Sequence, residues 1–101
     1  MNESQRVLIA GAGPVGCTAA LMLAQNGIPV TLIESDPTLA EDLRASTFHP
    51  PSLDMLDDLG VTEKLIPQGL VAPKYQFRDR NSGAYAEFDI GVLKDCTRHP
   101  F

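Results

Sequence analysis

Three glycines and one acidic residue near the start of the chain have the types and spacing that suit nucleotide binding. Gly11, Gly13 and Gly16 form the pattern Gly-x-Gly-x-x-Gly, and Glu34 lies 18 positions after the last of them. The first glycine permits a tight turn from strand to helix, the second lets the backbone approach a pyrophosphate, and the third lets the helix lie against the strand. The carboxylate of Glu34 can accept hydrogen bonds from ribose hydroxyls. These four positions therefore predict a dinucleotide site.

A strand, a helix and a second strand must hold these residues in place. The apolar run at residues 6–10 is typical of a strand buried on both faces of a parallel sheet. Residues 14–25 favour a helix, because Pro14 suits a first helical turn and good helix formers follow it. The N–H groups exposed at the helix start, where Pro14 and Val15 lie, carry about half a positive charge that can face phosphates. A second apolar run at residues 28–33 predicts the partner strand.

The acid at the end of the second strand also narrows the choice of nucleotide. A carboxylate at Glu34 would repel the 2′-phosphate of NADP, so the site suits FAD or NAD. The motif alone does not choose between those two, and a βαβ unit that binds nothing is the structural alternative. No residue is assigned a catalytic role.

The composition argues against several other classes of protein. The formal net charge of the 101 residues is −5, which argues against a nucleic-acid interface and offers no basic patch to an anionic membrane. Residues 7–24 carry no charge, but three glycines and a proline interrupt them, so a spanning helix is not expected. The first six residues contain one acid and one base, unlike a signal peptide. We therefore expect a cytoplasmic protein with no nucleic-acid or membrane partner.

The cysteines and histidines lack the spacing of a metal site or a catalytic centre. Cys17 and Cys96 are far apart in sequence, so both are expected to be free, buried thiols in a reducing cytoplasm. His49 and His99 are each next to a proline, and the sequence places no carboxylate or second histidine to form a triad or a metal site with them. We expect both to be loop residues, and no metal ligand is predicted.

The whole chain, residues 1–101, is predicted to be a single, partial domain of the α/β class. Pro51 is expected to open a helix, and Thr62 to cap a second, short one. Residues 78–80 are expected to form a solvated edge. The predicted segments are a Rossmann-like βαβ unit at 5–35, a long loop at 36–50, a helical segment at 51–69 and a β-hairpin at 73–92.

Two stretches of the sequence resemble one enzyme family. "GAGPVGCTAALMLAQNGIPVTLIES" followed by "RASTFHPPSLDMLDDLGV" is similar to the N-terminus of the class A flavoprotein monooxygenases, the group of para-hydroxybenzoate hydroxylase and phenol hydroxylase. The resemblance covers most of residues 6–70, and beyond them only the general layout of strands. An arginine after a long loop and before a helix marks this group, and Arg44 matches it.

The resemblance implies roles for individual residues. FAD would lie on the glycine-rich turn, with Glu34 at its ribose. Arg44 would lie near the pyrophosphate and the flavin side, a role that a forked donor of opposite charge suits. Many members carry a basic residue directly after the acid, where this chain has Ser35, and Ser35 is counted among the cofactor-binding residues.

The resemblance also implies a reaction in which NAD(P)H reduces FAD, oxygen reacts with the reduced flavin, and an aromatic ring is hydroxylated. Members of the family are several times longer than this chain, and their later motifs have no counterpart in it. We therefore expect the FAD-binding N-terminal fragment of such an enzyme, inactive by itself. The alternatives are a stand-alone NAD- or FAD-binding or interaction module without catalysis, and the start of an NAD-dependent dehydrogenase, which the long loop and Arg44 disfavour.

The first strand also predicts a partner for the fragment. In a doubly wound sheet the first strand lies near the middle and has neighbours on both sides. Residues 28–33 supply one neighbour, and no later stretch clearly supplies a second parallel strand. An unpaired apolar edge tends to recruit another chain, so we expect self-association, by strand exchange among other routes.

Overall fold

The computed structural model describes residues 5–41 and 47–101, and the chain divides into two compact units. We call Met1–Arg44 the N-terminal unit and Ala45–Phe101 the C-terminal unit. A strand–helix–strand start is followed by helices and a hairpin, which confirms the predicted α/β fold class. Within the described residues, no helix has the length and apolar character needed to cross a membrane.

The N-terminal unit is built from β1 (Val7–Ala10), α1 (Pro14–Gln25) and β2 (Val30–Ile33). The two strands are parallel and pair along all four residues of each. Parallel strands need a long crossover between them, and α1 supplies it. Strand β2 begins later than the apolar run at residue 28, because Pro29 has no N–H to contribute to a ladder.

Only one face of β1 is covered in the described part of this unit. Val7 and Ile9 are half-buried, whereas Ala10 and Leu8 are exposed, Leu8 by 64%. A Cβ placed on Gly16 of α1 would lie 3.4 Å from the Cγ2 atom of Ile9, so the helix packs against that face. The expectation of a strand buried on both faces is therefore wrong here, since one helix can cover only one side of a two-stranded sheet.

The helices of the C-terminal unit are α2 (Pro50–Asp58) and α3 (Thr62–Leu65), and a 3₁₀ turn (Ile66–Gln68) continues α3. Helix α2 begins at Pro50, one residue before the predicted start at Pro51. Both prolines are tolerated there because the first N–H groups of a helix have no partner within it.

Thr62 joins α3 to α2 through a buried hydrogen bond. Its side chain is fully buried, and its hydroxyl donates to the carbonyl of Leu53, which is 4% exposed. The N-cap position of α3 belongs to Val61, so the prediction that Thr62 caps this helix is wrong. The hydroxyl satisfies a carbonyl of the neighbouring helix instead of an N–H of its own.

The hairpin pairs β3 (Lys74–Arg78) with β4 (Tyr85–Asp89) in antiparallel register. The carboxylate of Asp79 accepts the N–H groups of Asn81 and Ser82 at 3.1 and 3.3 Å, which ends β3 and starts the turn. The Ser82 hydroxyl, followed by these two N–H groups, lowers the pKa of Asp79. Asp79 was expected only at a solvated edge; it is exposed, but it also shapes the turn.

The two faces of the hairpin differ in character. One face carries Tyr75, Phe77 and Phe88, whose rings meet edge-on with centroid distances of 5.0 and 6.0 Å along the row. The opposite face carries polar groups, including the ion pair of Lys74 with Glu87 at 3.0 Å. Because one face is aromatic and the other polar, the hairpin is amphipathic. All residues of both strands are exposed.

A second 3₁₀ turn (Ile90–Leu93) leads to a C-terminal segment that contacts α2. The guanidinium of Arg98 lies 3.2 Å from the carboxylates of both Asp57 and Asp58. The Nε2 atom of His99 lies 3.0 Å from Asp57 Oδ2. His99 lies in a loop, as predicted, and folding brings it a carboxylate partner from a distant part of the chain that the sequence did not reveal.

Candidate functional site

The glycine-rich turn connects β1 to α1. Gly11 has φ of +106°, a conformation that residues with a side chain rarely adopt, and its N–H donates to the carbonyl of Ile33 at 2.7 Å. Gly13 precedes the helix, and its carbonyl accepts the N–H of Cys17 at 2.9 Å. Helix α1 then begins at Pro14. The chain thus passes from strand to helix in a tight turn that needs a glycine at position 11.

The other two glycines of the pattern meet opposite surroundings. A Cβ on Gly16 would lie 1.9 Å from the carbonyl oxygen of Gly11, so even an alanine would clash with backbone. A Cβ on Gly13 would meet nothing within 4 Å. One glycine therefore allows the helix to approach the turn, and the other leaves open space beside it.

The start of α1 is open to solvent. Val15 is 84% exposed, and Gly13 and Pro14 are also exposed. In this fully described helix no side chain caps the first turn, and the first turn contains no acidic residue. The positive end of the helix dipole and its N–H groups can therefore face an anion such as a phosphate.

The carboxylate of Glu34 lies at the same end of the sheet. Its Oε2 atom accepts the N–H of Ala12 at 2.7 Å, and its Oε1 atom accepts the N–H groups of Ser35 and Asp36 at 3.1 Å each. These bonds, that of Ala12 first, lower the pKa of Glu34, because they stabilise its charged form. The lowered pKa keeps the carboxylate ionised at neutral pH. The side chain is exposed, so the carboxylate is also accessible.

Folding brings together most of the residues that the sequence singled out. The glycine-rich turn and the pair Glu34 and Ser35 follow the carboxyl ends of β1 and β2, which is where ligands bind in open α/β sheets. Arg44, the predicted contact to the pyrophosphate and flavin, lies outside the described residues. The cofactor-binding roles of all these residues remain predictions.

Ala12 is a member of the site that the sequence did not reveal. It stands between the first two glycines of the pattern, and its backbone N–H donates to the Glu34 carboxylate at 2.7 Å. Its carbonyl accepts the thiol of Cys17 at 3.2 Å. Because a backbone contact does not depend on the side chain, residue type gave no signal for it. Cys17 and Cys96 are both free, as expected, but both are exposed instead of buried.

The C-terminal unit contains a cavity of about 350 Å³ among the described residues. Its lining is mainly apolar and none of the predicted site residues contributes to it. Leu53, Leu65, Val71, Tyr75 and Phe101 line it, together with other side chains of the same unit. Its apolar lining suits an apolar ligand, in contrast to the exposed backbone N–H groups at the glycine-rich turn of the N-terminal unit.

Comparison with known proteins gives a consistent result over nearly the whole chain. Residues 4–99 match a family model described as "FAD binding domain". Para-nitrophenol 4-monooxygenase of Pseudomonas sp. (strain WBC-3) is 32% identical over 101 residues, which is 100% of this chain and 25% of that enzyme. Pentachlorophenol 4-monooxygenase of Sphingobium chlorophenolicum is 32% identical over 95 residues, which is 94% of this chain and 17% of that enzyme.

A solved structure shares the fold. The crystal structure of p-nitrophenol 4-monooxygenase from Pseudomonas putida DLL-E4 superposes with a TM-score of 0.84 at 29% identity, and the match covers 95% of this chain and 25% of that chain. This chain therefore spans about a quarter or less of the length of these relatives.

Proposed function

We propose that this chain, which belongs to the FAD binding domain family, is the FAD-binding N-terminal segment of a flavin-dependent monooxygenase. The observation that carries the proposal is that the family match spans the exposed glycine-rich turn and Glu34 together. The whole enzyme would hydroxylate an aromatic substrate with NAD(P)H and O₂. The segment by itself would bind FAD without catalysing a reaction.

The residues of the turn fit an FAD molecule. The open space at Gly13 and the uncapped helix start at Pro14 and Val15 would receive the diphosphate. The ionised carboxylate of Glu34 would accept the ribose hydroxyls, and the N–H of Ser35 helps to hold that carboxylate. Arg44 is proposed as the additional contact to the pyrophosphate and flavin. We find no side chain in this set that must move a proton, so their task is to bind and orient.

When bound, FAD would supply the redox chemistry that activates oxygen, while the protein positions and shields it. The names of two relatives specify phenols, para-nitrophenol and pentachlorophenol. A phenolic ring is therefore the substrate class that we propose for the whole enzyme. A stand-alone nucleotide-binding module is less favoured, because all of this chain aligns with a part of longer monooxygenases.

A titration of the purified chain tests the cofactor assignment. We expect ADP and FAD to bind. We also expect 2′,5′-ADP to bind more weakly than 5′-AMP, from which it differs only by the 2′-phosphate that Glu34 would repel. Isothermal calorimetry measures all four ligands, and flavin fluorescence provides a second readout for FAD. Absence of binding by both ADP and FAD at millimolar concentration would contradict the assignment, and tighter binding of 2′,5′-ADP than of 5′-AMP would contradict the role of Glu34.

We also propose that the chain associates with itself. In the described residues β1 pairs only with β2, and the apolar side chain of Leu8 is 64% exposed. An open strand edge next to apolar surface favours pairing with another chain. Light scattering coupled to gel filtration should give a mass that rises with concentration. A constant mass of one chain over a hundredfold range of concentration would contradict this proposal.

The compartment is proposed to be the cytoplasm. Both cysteines are free and exposed, which suits a reducing environment. Fractionation of cells that express the native gene would place the protein.

A further inference from the structure

The carboxylate of Glu34 is engaged by the protein's own backbone on both of its oxygens. Oε2 accepts the N–H of Ala12 at 2.7 Å, and Oε1 accepts the N–H groups of Ser35 and Asp36 at 3.1 Å each. Ser35 and Asp36 are sequence neighbours of Glu34, whereas Ala12 is 22 positions away in the glycine-rich turn. One carboxylate therefore links the turn that follows β1 to the loop that follows β2.

This link holds a part of the turn that the strand ladder does not reach. The last backbone bond between the two strands runs from Gly11 N–H to the Ile33 carbonyl at 2.7 Å. Ala12 is the next residue, and its N–H is turned to Glu34 instead. Beyond Ala12 lie Gly13 and the open helix start. The Glu34 carboxylate thus fixes the last residue before the proposed diphosphate site.

We infer that Glu34 has a second role besides accepting hydrogen bonds from ribose: it positions the glycine-rich turn. The binding of a diphosphate therefore depends on Glu34 even when the ligand has no ribose. The identity of the ligand rests on the proposed function. The hydrogen bond between Glu34 and Ala12 does not, because it lies within the chain itself.

A ligand without ribose separates this role from simpler ones. If Glu34 only bound ribose, its replacement would leave the affinity for inorganic pyrophosphate unchanged. If Glu34 acted only as a nearby negative charge, its removal would strengthen the binding of an anion. A positioning role predicts the opposite sign, because a turn without its link no longer holds the N–H groups in place.

The test uses the full chain, labelled with ¹⁵N, and the variants Glu34→Gln and Glu34→Asp. Glutamine keeps the shape but removes the charge and one of the two acceptor oxygens, whereas aspartate keeps the charge but is one methylene too short to preserve all three bonds. Glu41→Gln is the matched control, because Glu41 is an exposed residue of the same unit and undergoes the same change. Hydrogen exchange of the Ala12 amide and a titration with inorganic pyrophosphate are measured by NMR.

The expected result has two parts. The Ala12 amide should exchange about tenfold faster in both Glu34 variants than in the wild-type chain, since a hydrogen bond to a charged acceptor is lost. Pyrophosphate should bind several-fold more weakly to both variants. In Glu41→Gln the exchange rate of the Ala12 amide should stay at the wild-type value, and the affinity for pyrophosphate should be unchanged or slightly higher.

Other results would overturn the inference. One such result is equal exchange of the Ala12 amide in the wild-type chain and in Glu34→Gln. Another is tighter binding of pyrophosphate by Glu34→Gln than by the wild-type chain. If the variants do not fold, the wild-type chain provides the test. The NMR chemical shift of the Ala12 amide should change with pH as the Glu34 carboxyl titrates, and a chemical shift that does not change contradicts the link. If the wild-type chain binds no pyrophosphate, ADP or FAD, the proposed function fails, while the exchange data still decide whether Glu34 holds the turn.

Discussion

The two units of the chain use their residues in opposite ways. In the N-terminal unit the important groups are backbone N–H donors, and the side chains around them are small or absent, as at Gly13 and Gly16. In the C-terminal unit the important contacts are made by side chains, such as the buried Thr62 hydroxyl and the ion pairs of Arg98. The conformation of the glycine-rich turn therefore depends on the absence of side chains, whereas the packing of the C-terminal unit depends on the side chains that are present.

The sequence distances between contacting residues differ as well. The glycine pattern spans six consecutive residues, and Glu34 completes the site 22 positions after its partner Ala12. In the C-terminal unit Arg98 reaches Asp54 across 44 positions, and His99 reaches Asp57 across 42. Local patterns can be recognised from spacing, whereas contacts between distant positions depend on how the elements pack.

Among the substitutions that test this difference between the units, the largest effect is expected within the glycine pattern. Gly16→Ala places a Cβ 1.9 Å from a backbone oxygen, so α1 must move away from β1 at a cost of about 3 kcal/mol. Gly13→Ala is the matched control, since its Cβ meets nothing and its φ of −75° suits alanine. Urea denaturation followed by circular dichroism should show a destabilised Gly16→Ala and an unchanged Gly13→Ala.

ADP binding gives the complementary readout for the same pair. Gly13→Ala should fold normally yet bind ADP more weakly, because its methyl group occupies the space proposed for the diphosphate. A Gly16→Ala chain as stable as the wild type would show that the helix is not held close to the turn. Full ADP affinity in Gly13→Ala would remove that glycine from the site.

A smaller effect is expected in the C-terminal unit, from Thr62→Val. Valine keeps the shape of threonine but leaves the Leu53 carbonyl without its buried donor, which should destabilise the unit by about 1–2 kcal/mol. Thr18→Val is the control in the other unit, because the Thr18 hydroxyl donates to the Pro14 carbonyl near the surface, and its loss should stay within about 0.5 kcal/mol. Equal effects of the two substitutions on the urea midpoint would argue that burial of the Thr62 hydroxyl is unimportant.

The smallest effect concerns the response to acid. The pKa of Glu34 is lowered from its ordinary value of 4.5, mainly by the N–H of Ala12, so the folded turn favours the charged form. Its stabilising contribution is complete above pH 4.5 and is lost as the pH falls through the lowered pKa. Asp79 in the hairpin turn follows the same rule from an ordinary value of 3.8, with the Ser82 hydroxyl as the main cause.

Urea denaturation between pH 7 and pH 3 measures this response. Glu34→Gln and Asp79→Asn should each be less stable than the wild-type chain at pH 7, and each difference should shrink as the solution becomes acidic. Both differences should be small, because the two carboxylates are exposed to solvent. A difference that grows toward acid pH would contradict the direction of both pKa shifts.

The N-terminal unit was predictable because its elements are short and locally specified. Strand, turn, helix and second strand follow one another within residues 6–33, and each glycine of the pattern has a reason that applies wherever the pattern occurs. The prediction did not anticipate Ala12, whose contribution is a backbone N–H, or the exposed face of β1. Neither depends on the type of the residue concerned.

The C-terminal unit was predicted less completely, for a different reason. The helical segment and the hairpin were predicted, but Thr62 was given the wrong role, and the carboxylate partner of His99 was not anticipated. A threonine at the start of a helix normally caps it, but the packing of α3 on α2 turns the Thr62 hydroxyl to the Leu53 carbonyl. His99 keeps its predicted place in a loop, and the packing of the C-terminal segment on α2 decides that its partner is Asp57.

The sequence by itself determined the glycine-rich turn, because backbone freedom at glycine and the charge of a terminal acid are properties of single residues at a fixed spacing. Only the tertiary structure decided where Thr62, Asp57 and His99 find their partners, and that both oxygens of Glu34 are held by backbone donors. These contacts join positions that are far apart or use groups common to every residue. Their free energy arises only when the elements pack, so no local pattern of residue types records them.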